Sequence, residues 1–261
     1  MSSLFNLNGK TALISASTLG IGLASAIALA QQGARVIVNG RTQERVDKAV
    51  ALIRKDAPKA DVAGFVADLT TAAGANAIHS AYPAVDILVN NLGFAPVTAF
   101  ETTSDEEWAK LYNDNVISGV RLTRLYLPHL RAQNWGRVIY ISASAAEAPV
   151  GIAINFSASK SAQIAAARGL AEALAGTNIT VNSIVVGITD TAALDRFLTN
   201  STVPLGASKE VIGQAFADGT LIKRALRAEE IAAAVVYLSS PAASGTTGSA
   251  LRVEGGAVHH V

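Results

Sequence analysis

The sequence contains no cysteine. A disulfide framework, a thiolate metal site and a cysteine nucleophile are therefore excluded. Charge is also sparse. Only 16% of the 261 residues are Asp, Glu, Lys or Arg, and 21 Lys+Arg against 20 Asp+Glu leave a formal charge of +1. A dedicated nucleic-acid binder carries a basic excess that this balance lacks, so no nucleic-acid partner is expected. No uninterrupted apolar run reaches the roughly 18 residues of a membrane span, so no membrane partner is expected either. Half of the residues are nonetheless hydrophobic. Such a chain can bury a large core, which excludes intrinsic disorder. The apolar stretch 19–30 ends in Ala28-Leu29-Ala30, which resembles a leader cleavage site. Only one basic residue, Lys10, precedes it, and glycines and serines interrupt it. It reads as part of the fold, and a cytoplasmic location is expected.

What the chain does have is alternation. Short β-rich runs at 11–15, 35–39, 62–67, 86–90, 137–142, 178–186 and 250–253 alternate with helical patterns at 20–32, 42–56, 71–81, 104–133, 155–175 and 228–238. Strands apolar on both faces and separated by helices predict parallel βαβ units. The expected fold is α/β: a single doubly wound, Rossmann-type domain over 1–261, with a seven-stranded parallel sheet covered by helices on both faces. Ser104 and Glu107 have the spacing of a capping box at the start of the long 104–133 helix. Pro128 is expected to kink or break that helix near its end. The stretch 188–220 reads as irregular. It follows the carboxyl end of a strand, where ligands bind in open α/β sheets, and is expected to cover a substrate.

The first strand feeds into Ser15-Ala16-Ser17-Thr18-Leu19-Gly20-Ile21-Gly22 and then a helix. Glycine lets backbone approach a pyrophosphate without a Cβ clash, and a helix N-terminus offers unpaired N–H groups. Ser15, Ser17, Leu19, Gly20, Ile21 and Gly22 are therefore candidate cofactor residues. The second strand ends in Asn39-Gly40-Arg41, without the carboxylate that bonds the ribose 2′-hydroxyl of NAD. Asn39 and Arg41 join the cofactor set, and Arg41 suits a 2′-phosphate, which favours NADP(H) over NAD(H).

With these motifs the chain resembles the short-chain dehydrogenase/reductase family. Gly20 and Gly22 match the last two glycines of that family's Thr-Gly-x-x-x-Gly-x-Gly turn, with Ala16 in the first glycine's place and Ser15 in the threonine's. Asp68 matches its adenine-contacting aspartate. Asn90-Asn91-Leu92-Gly93 matches Asn-Asn-Ala-Gly, and Val253-Glu254-Gly255-Gly256 looks like Val-Asp-Gly-Gly. The resemblance implies cofactor roles for Asp68, Asn91, Gly93, Lys160, Gly187 and Thr189. It implies catalytic roles for Asn115 and Lys160, and a homotetramer or homodimer. It also exposes departures. The family's tyrosine, four residues before the lysine, is Phe156 here, and its serine position falls on Ala143. Val186-Gly187 replaces Pro-Gly.

The resemblance thus implies a nicotinamide platform without its usual acid. Ser142, Ser144 and Tyr140 are the candidate replacement donors, although Tyr140 also reads as a packed strand residue. Strand alternation points Ser142 and Ser144 away from the Ala143 face unless the chain bends there. Three functions remain open on sequence alone. One is an atypical NADP(H)-dependent oxidoreductase acting on a small, largely apolar substrate. Another is a non-redox cyclase, lyase or isomerase using Glu147 or Asp190. The third is a catalytically silent cofactor-binding protein. His79, His129, His259 and His260 lack the spacing of a metal pair, so no metal is expected. Trp108, Leu111, Leu122, Leu125, Tyr126 and Trp135 form a stripe that suits either a subunit face or simple core packing.

Overall fold

A computed structural model describes residues 4–260. Seven strands form one sheet: β1 (Thr11–Ile14), β2 (Arg35–Gly40), β3 (Val62–Val66), β4 (Ile87–Asn90), β5 (Gly136–Ile141), β6 (Ile179–Val186) and β7 (Ala250–Val253). Their order is β3-β2-β1-β4-β5-β6-β7, and every pairing is parallel. The expected doubly wound α/β fold is the one observed.

Consecutive side chains of a strand go to opposite faces, and both faces are apolar. Ile14 packs with Leu29, Ile53, Ile231 and Val235 in one core, whereas its neighbour Leu13 packs with Ile78, Leu122 and Tyr126 in another. A third cluster joins Val138, Tyr140 and Val181 to Leu130 and Leu174. The helices are α1 (Gly20–Gln31), α2 (Gln43–Asp56), α3 (Ala72–Ala81), α4 (Asp105–Tyr112), α5 (Ser118–Ala132), α6 (Ile154–Ala173), α7 (Ala192–Leu205), α8 (Lys209–Asp218) and α9 (Ala228–Ser239), and the clusters draw on all of them except α4, α7 and α8. Strand order reverses between β1 and β4, which opens a crevice at their carboxyl ends.

Three expectations need correction. The 104–133 helix is not continuous: residues Asn113–Ile117 wind as a π-helical turn between α4 and α5. The Ser104–Glu107 capping box does form at its start. Pro128 lies within α5 and does not end it. The 188–220 stretch is mostly helical rather than irregular. Thr191 caps α7 by accepting from Leu194 N, Ser208 caps α8 by accepting from Val211 N, and Gly206 ends α7 in the left-handed conformation at φ 62°. These caps supply the hydrogen bonds that its Thr-, Asn- and Pro-containing composition does not advertise.

Candidate active site

The crevice begins at the turn between β1 and α1. Gly20 takes φ 56°, and α1 follows Leu19, which gives it no side-chain cap, and has no acid in its first turn. The first N–H groups of the helix are thus left for a ligand. Gly22 must be glycine: a Cβ there would lie 2.6 Å from Asn91 Nδ2 and 2.8 Å from the Ala16 carbonyl oxygen. Ala16 itself sits at φ 51°, a left-handed conformation that costs a residue with a Cβ about 1–2 kcal/mol. Two side chains hold it there. Asn39 Oδ1 accepts from Ala16 N at 3.2 Å, and Asn91 Nδ2 donates to the Ala16 carbonyl at 3.1 Å.

These bonds divide the sequence-derived cofactor set. Ser15, Ser17 and Asn39 are buried and already engaged. Ser15 Oγ accepts from Asn91 N and Leu92 N, while Ser17 Oγ donates to the Ile14 carbonyl and accepts from Asn39 N. Asn39 Nδ2 donates to the carbonyls of Phe65 and Ala67. All three build the turn from inside. Leu19, Gly20 and Ile21 are at least partly exposed, whereas Gly22 is buried beneath them. Arg41 is exposed, and its guanidinium has no hydrogen bond or ion pair among the described residues. Asp68 is exposed across from it. Hydrogen bonds from Thr70 hold its carboxyl below the usual range, and the charge of Arg41 adds to the effect.

The floor of the crevice comes from β4, the π turn and α6. Asn115 is 1% exposed. Its Oδ1 accepts from Phe94 N, and its Nδ2 donates to the Phe94 carbonyl at 3.0 Å and to Ser159 Oγ at 2.9 Å. Asn115 therefore pins the segment after β4 to α6. Lys160 Nζ donates to the Ile141 carbonyl at 2.8 Å and to Gln163 Oε1 at 3.0 Å. Burial lowers its pKa from 10.5 to about 7. Gly93 abuts this amine, since a Cβ there would be 2.9 Å from Nζ. Phe156 is half-buried one turn earlier on α6, its ring centre 5.7 Å from Nζ. Beyond β6, Gly187 lies under the Glu254 backbone, where a Cβ would come within 2.6 Å of the carbonyl oxygen. Thr189 is buried and donates to the Gly187 carbonyl.

The candidate donors also separate. Tyr140 is buried, shares a 2.8 Å hydrogen bond with Thr123 Oγ1, and has its pKa pushed up to about 12 by burial. Ser142 is buried and donates to the Lys160 carbonyl at 2.9 Å. After half-buried Ala143 the chain leaves the strand and bends into a short 3₁₀ turn, Ser144–Ala146. Ser144 is half-buried, and its hydroxyl has no hydrogen bond among the described residues. Ala143 is still extended, at φ −149° and ψ 156°, so the bend comes after it. Of the acids, Glu147 is held by Arg252 at 2.6 Å, and Asp190 is exposed. Among the described residues, no group of three or more His, Asp or Glu could hold a metal ion, and no helix is long and apolar enough to cross a membrane. Gln163 escaped the sequence reading, because a glutamine in an alanine-rich helix looks like a solvated residue.

A protein-family model described as enoyl-(acyl carrier protein) reductase matches residues 15–258. The bovine (Bos taurus) dehydrogenase/reductase SDR family member 4 is 33% identical over 98% of this chain and 89% of its own. The chain belongs to the short-chain dehydrogenase/reductase family. Within that family it is 42% identical to the uncharacterized oxidoreductase YvaG of Bacillus subtilis strain 168, over 98% of both chains. Its fold is similar to that of L-sorbose reductase from Gluconobacter frateurii complexed with NADPH and L-sorbose, with a TM-score of 0.90, 29% identity and full coverage of both chains. A variant of the actinorhodin polyketide ketoreductase with NADPH is similar to the same degree, with a TM-score of 0.90, 27% identity and full coverage.

Proposed function

We propose that the protein is an NADP(H)-dependent oxidoreductase that acts on a small, largely apolar substrate without a tyrosine acid. The observation that carries the cofactor assignment is the uncapped start of α1, closed over by Gly20 and Gly22, with the unpaired Arg41 at the end of β2. The fit is chemical. A diphosphate matches open N–H groups at a helix N-terminus, and a 2′-phosphate matches a free guanidinium. NADPH complexes among the similar structures agree with this. When bound, the dinucleotide supplies or accepts the hydride. The chain's own residues do the rest. The backbone at Leu19–Gly22 holds the diphosphate, Arg41 the 2′-phosphate and Asp68 the adenine end. Asn91 and Gly93 shape the floor, Lys160 bonds the nicotinamide-side ribose, and Gly187 with Thr189 borders the far wall.

In this reading Phe156 stands where the family places its proton-donating tyrosine, and Ala143 where it places the serine. Ser144 is the donor that remains. It has an uncommitted hydroxyl, whereas Ser142 and Tyr140 are bonded internally. The apolar preference draws on Phe94, Leu221 and Ile222, which all expose large hydrophobic side chains. A non-redox acid mechanism gains no support from Glu147, which Arg252 neutralises.

Calorimetric titration tests the proposal. NADPH is expected to bind more tightly than NADH. Arg41→Glu is expected to weaken NADPH by about tenfold or more, through loss of a charge-assisted pair, and to leave NADH nearly unchanged. Equal or tighter binding of NADH would remove the cofactor preference, and no saturable signal with either would remove the proposal.

A further inference from the structure

Gln163 lies one turn beyond Lys160 on α6 and is 1% exposed. Ala162, Ala165, Ala166 and Ala167 surround it on this helix, and an apolar side chain would fill its place with no polar group to satisfy. A buried amide is costly unless both of its ends are bonded. Here both are. Nε2 donates to the Asn115 carbonyl of the π turn at 2.5 Å, and Oε1 accepts from Lys160 Nζ at 3.0 Å. The orientation of the amide is forced, because a carbonyl oxygen can only accept and an ammonium can only donate.

We propose that Gln163 is a positioning residue that clamps Lys160 and ties its amine to the π turn carrying Asn115. The inference rests on the dinucleotide reading for its purpose, but not for its geometry. An ammonium has three N–H groups. The Ile141 carbonyl and Gln163 take two of them, and so fix the third for a ligand in the crevice beside Gly93. The clamp also explains why a π turn persists here. The side chain of Asn115 already bridges Phe94 and Ser159, and Gln163 adds a bond to its backbone, so one residue ties three segments together.

No charged neighbour does this work in place of the amide. On α4, Lys110 pairs with Asp114 of the π turn, while Asp105, Glu106 and Glu107 are exposed. On β5, Arg137 lies at the opposite end of the strand from Ile141. The 3₁₀ turns Ser144–Ala146 and Gly151–Ala153 carry no charged residue, and neither does β6. On α6 itself, Arg168 pairs with Glu172. Burial is the only cause that lowers the Lys160 pKa.

The experiment titrates Lys160 directly by NMR of protein labelled with ¹³C at lysine Cε, the signal being assigned by its loss in Lys160→Met. Wild type, Gln163→Met and Gln163→Glu are compared, each checked for folding by circular dichroism. Methionine removes an acceptor from the charged form, so the Lys160 midpoint is expected to fall by about one pH unit. Glutamate adds an anionic acceptor, so the midpoint is expected to rise above wild type. NADPH affinity is expected to weaken about tenfold in the methionine variant and to stay below wild type in the glutamate variant, which keeps the lysine contact but cannot donate to the Asn115 carbonyl. If a folded Gln163→Met keeps both midpoint and affinity, Gln163 is a packing residue and the clamp is wrong. If the methionine variant does not fold, the glutamate variant decides by the direction of its shift. If wild type binds no NADPH, the dinucleotide reading fails, while the midpoints still decide the clamp.

Discussion

Two residues show how much a single position can be made to hold. Ala16 occupies a left-handed backbone that favours glycine, and the turn keeps it there with one amide on each side, from Asn39 and Asn91. Ala16→Gly is therefore expected to stabilise the protein by about 1 kcal/mol, since relief of the Cβ strain outweighs the entropy of a freer unfolded chain. Thermal unfolding checks this, with an expected rise in midpoint of roughly 2–4 °C; a fall would show that the methyl group packs usefully. Phe156 poses the second question. General acid catalysis is typically worth about 10²–10⁴ in rate. Restoring Tyr at 156 and Ser at 143 together is expected to raise NADPH-coupled ketone reduction by about 10²-fold or more. Ser144→Ala is expected to lower the residual turnover of the unmodified protein about tenfold. No gain from the double change would mean that the crevice has been reshaped for other chemistry, and no loss from the single change would exclude Ser144 as donor.

At the scale of elements, strands were easy to read and special turns were not. Runs such as Ile87-Leu88-Val89 are buried on both faces, and that burial is written as uninterrupted apolar sequence. The glycine turn was legible because Gly20 and Gly22 sit between a strand and a helix. The π turn was not, because a shift of one hydrogen-bond register leaves no mark in composition. Nor could sequence separate rim from scaffold in the cofactor set. Ser15 and Ser17 carry the same hydroxyl that a phosphate would seek, and only their partners show that it is spent internally. The helices α7 and α8 were missed for a related reason: their ends depend on caps by Thr191 and Ser208, and the residues that cap helices also make loops.

The expected homotetramer or homodimer belongs to the whole molecule. Most of the stripe read from sequence turns inward. Leu111, Leu122 and Tyr126 are buried, and Trp135 is covered by Lys10, whose Nζ lies 3.7 Å from the ring centre. Tyr112 stays exposed beside the π turn and Ile117 at its end, with Phe100 also uncovered. We propose that this apolar surface packs against a second copy of the chain. Light scattering is expected to give twice or four times the 26.8 kDa chain mass, and Tyr112→Glu with Ile117→Glu is expected to return it toward one. A wild-type mass of one chain would end the proposal.

The packing of α1 on α9 has a consequence for how the protein is made. Leu29 of the first helix shares its core with Ile231 and Val235 near the other terminus. A ribosome delivers α1 roughly two hundred residues before α9. Until α9 emerges, α1 has only β1, β2 and α2 to pack on, and its α9-facing side stays uncovered.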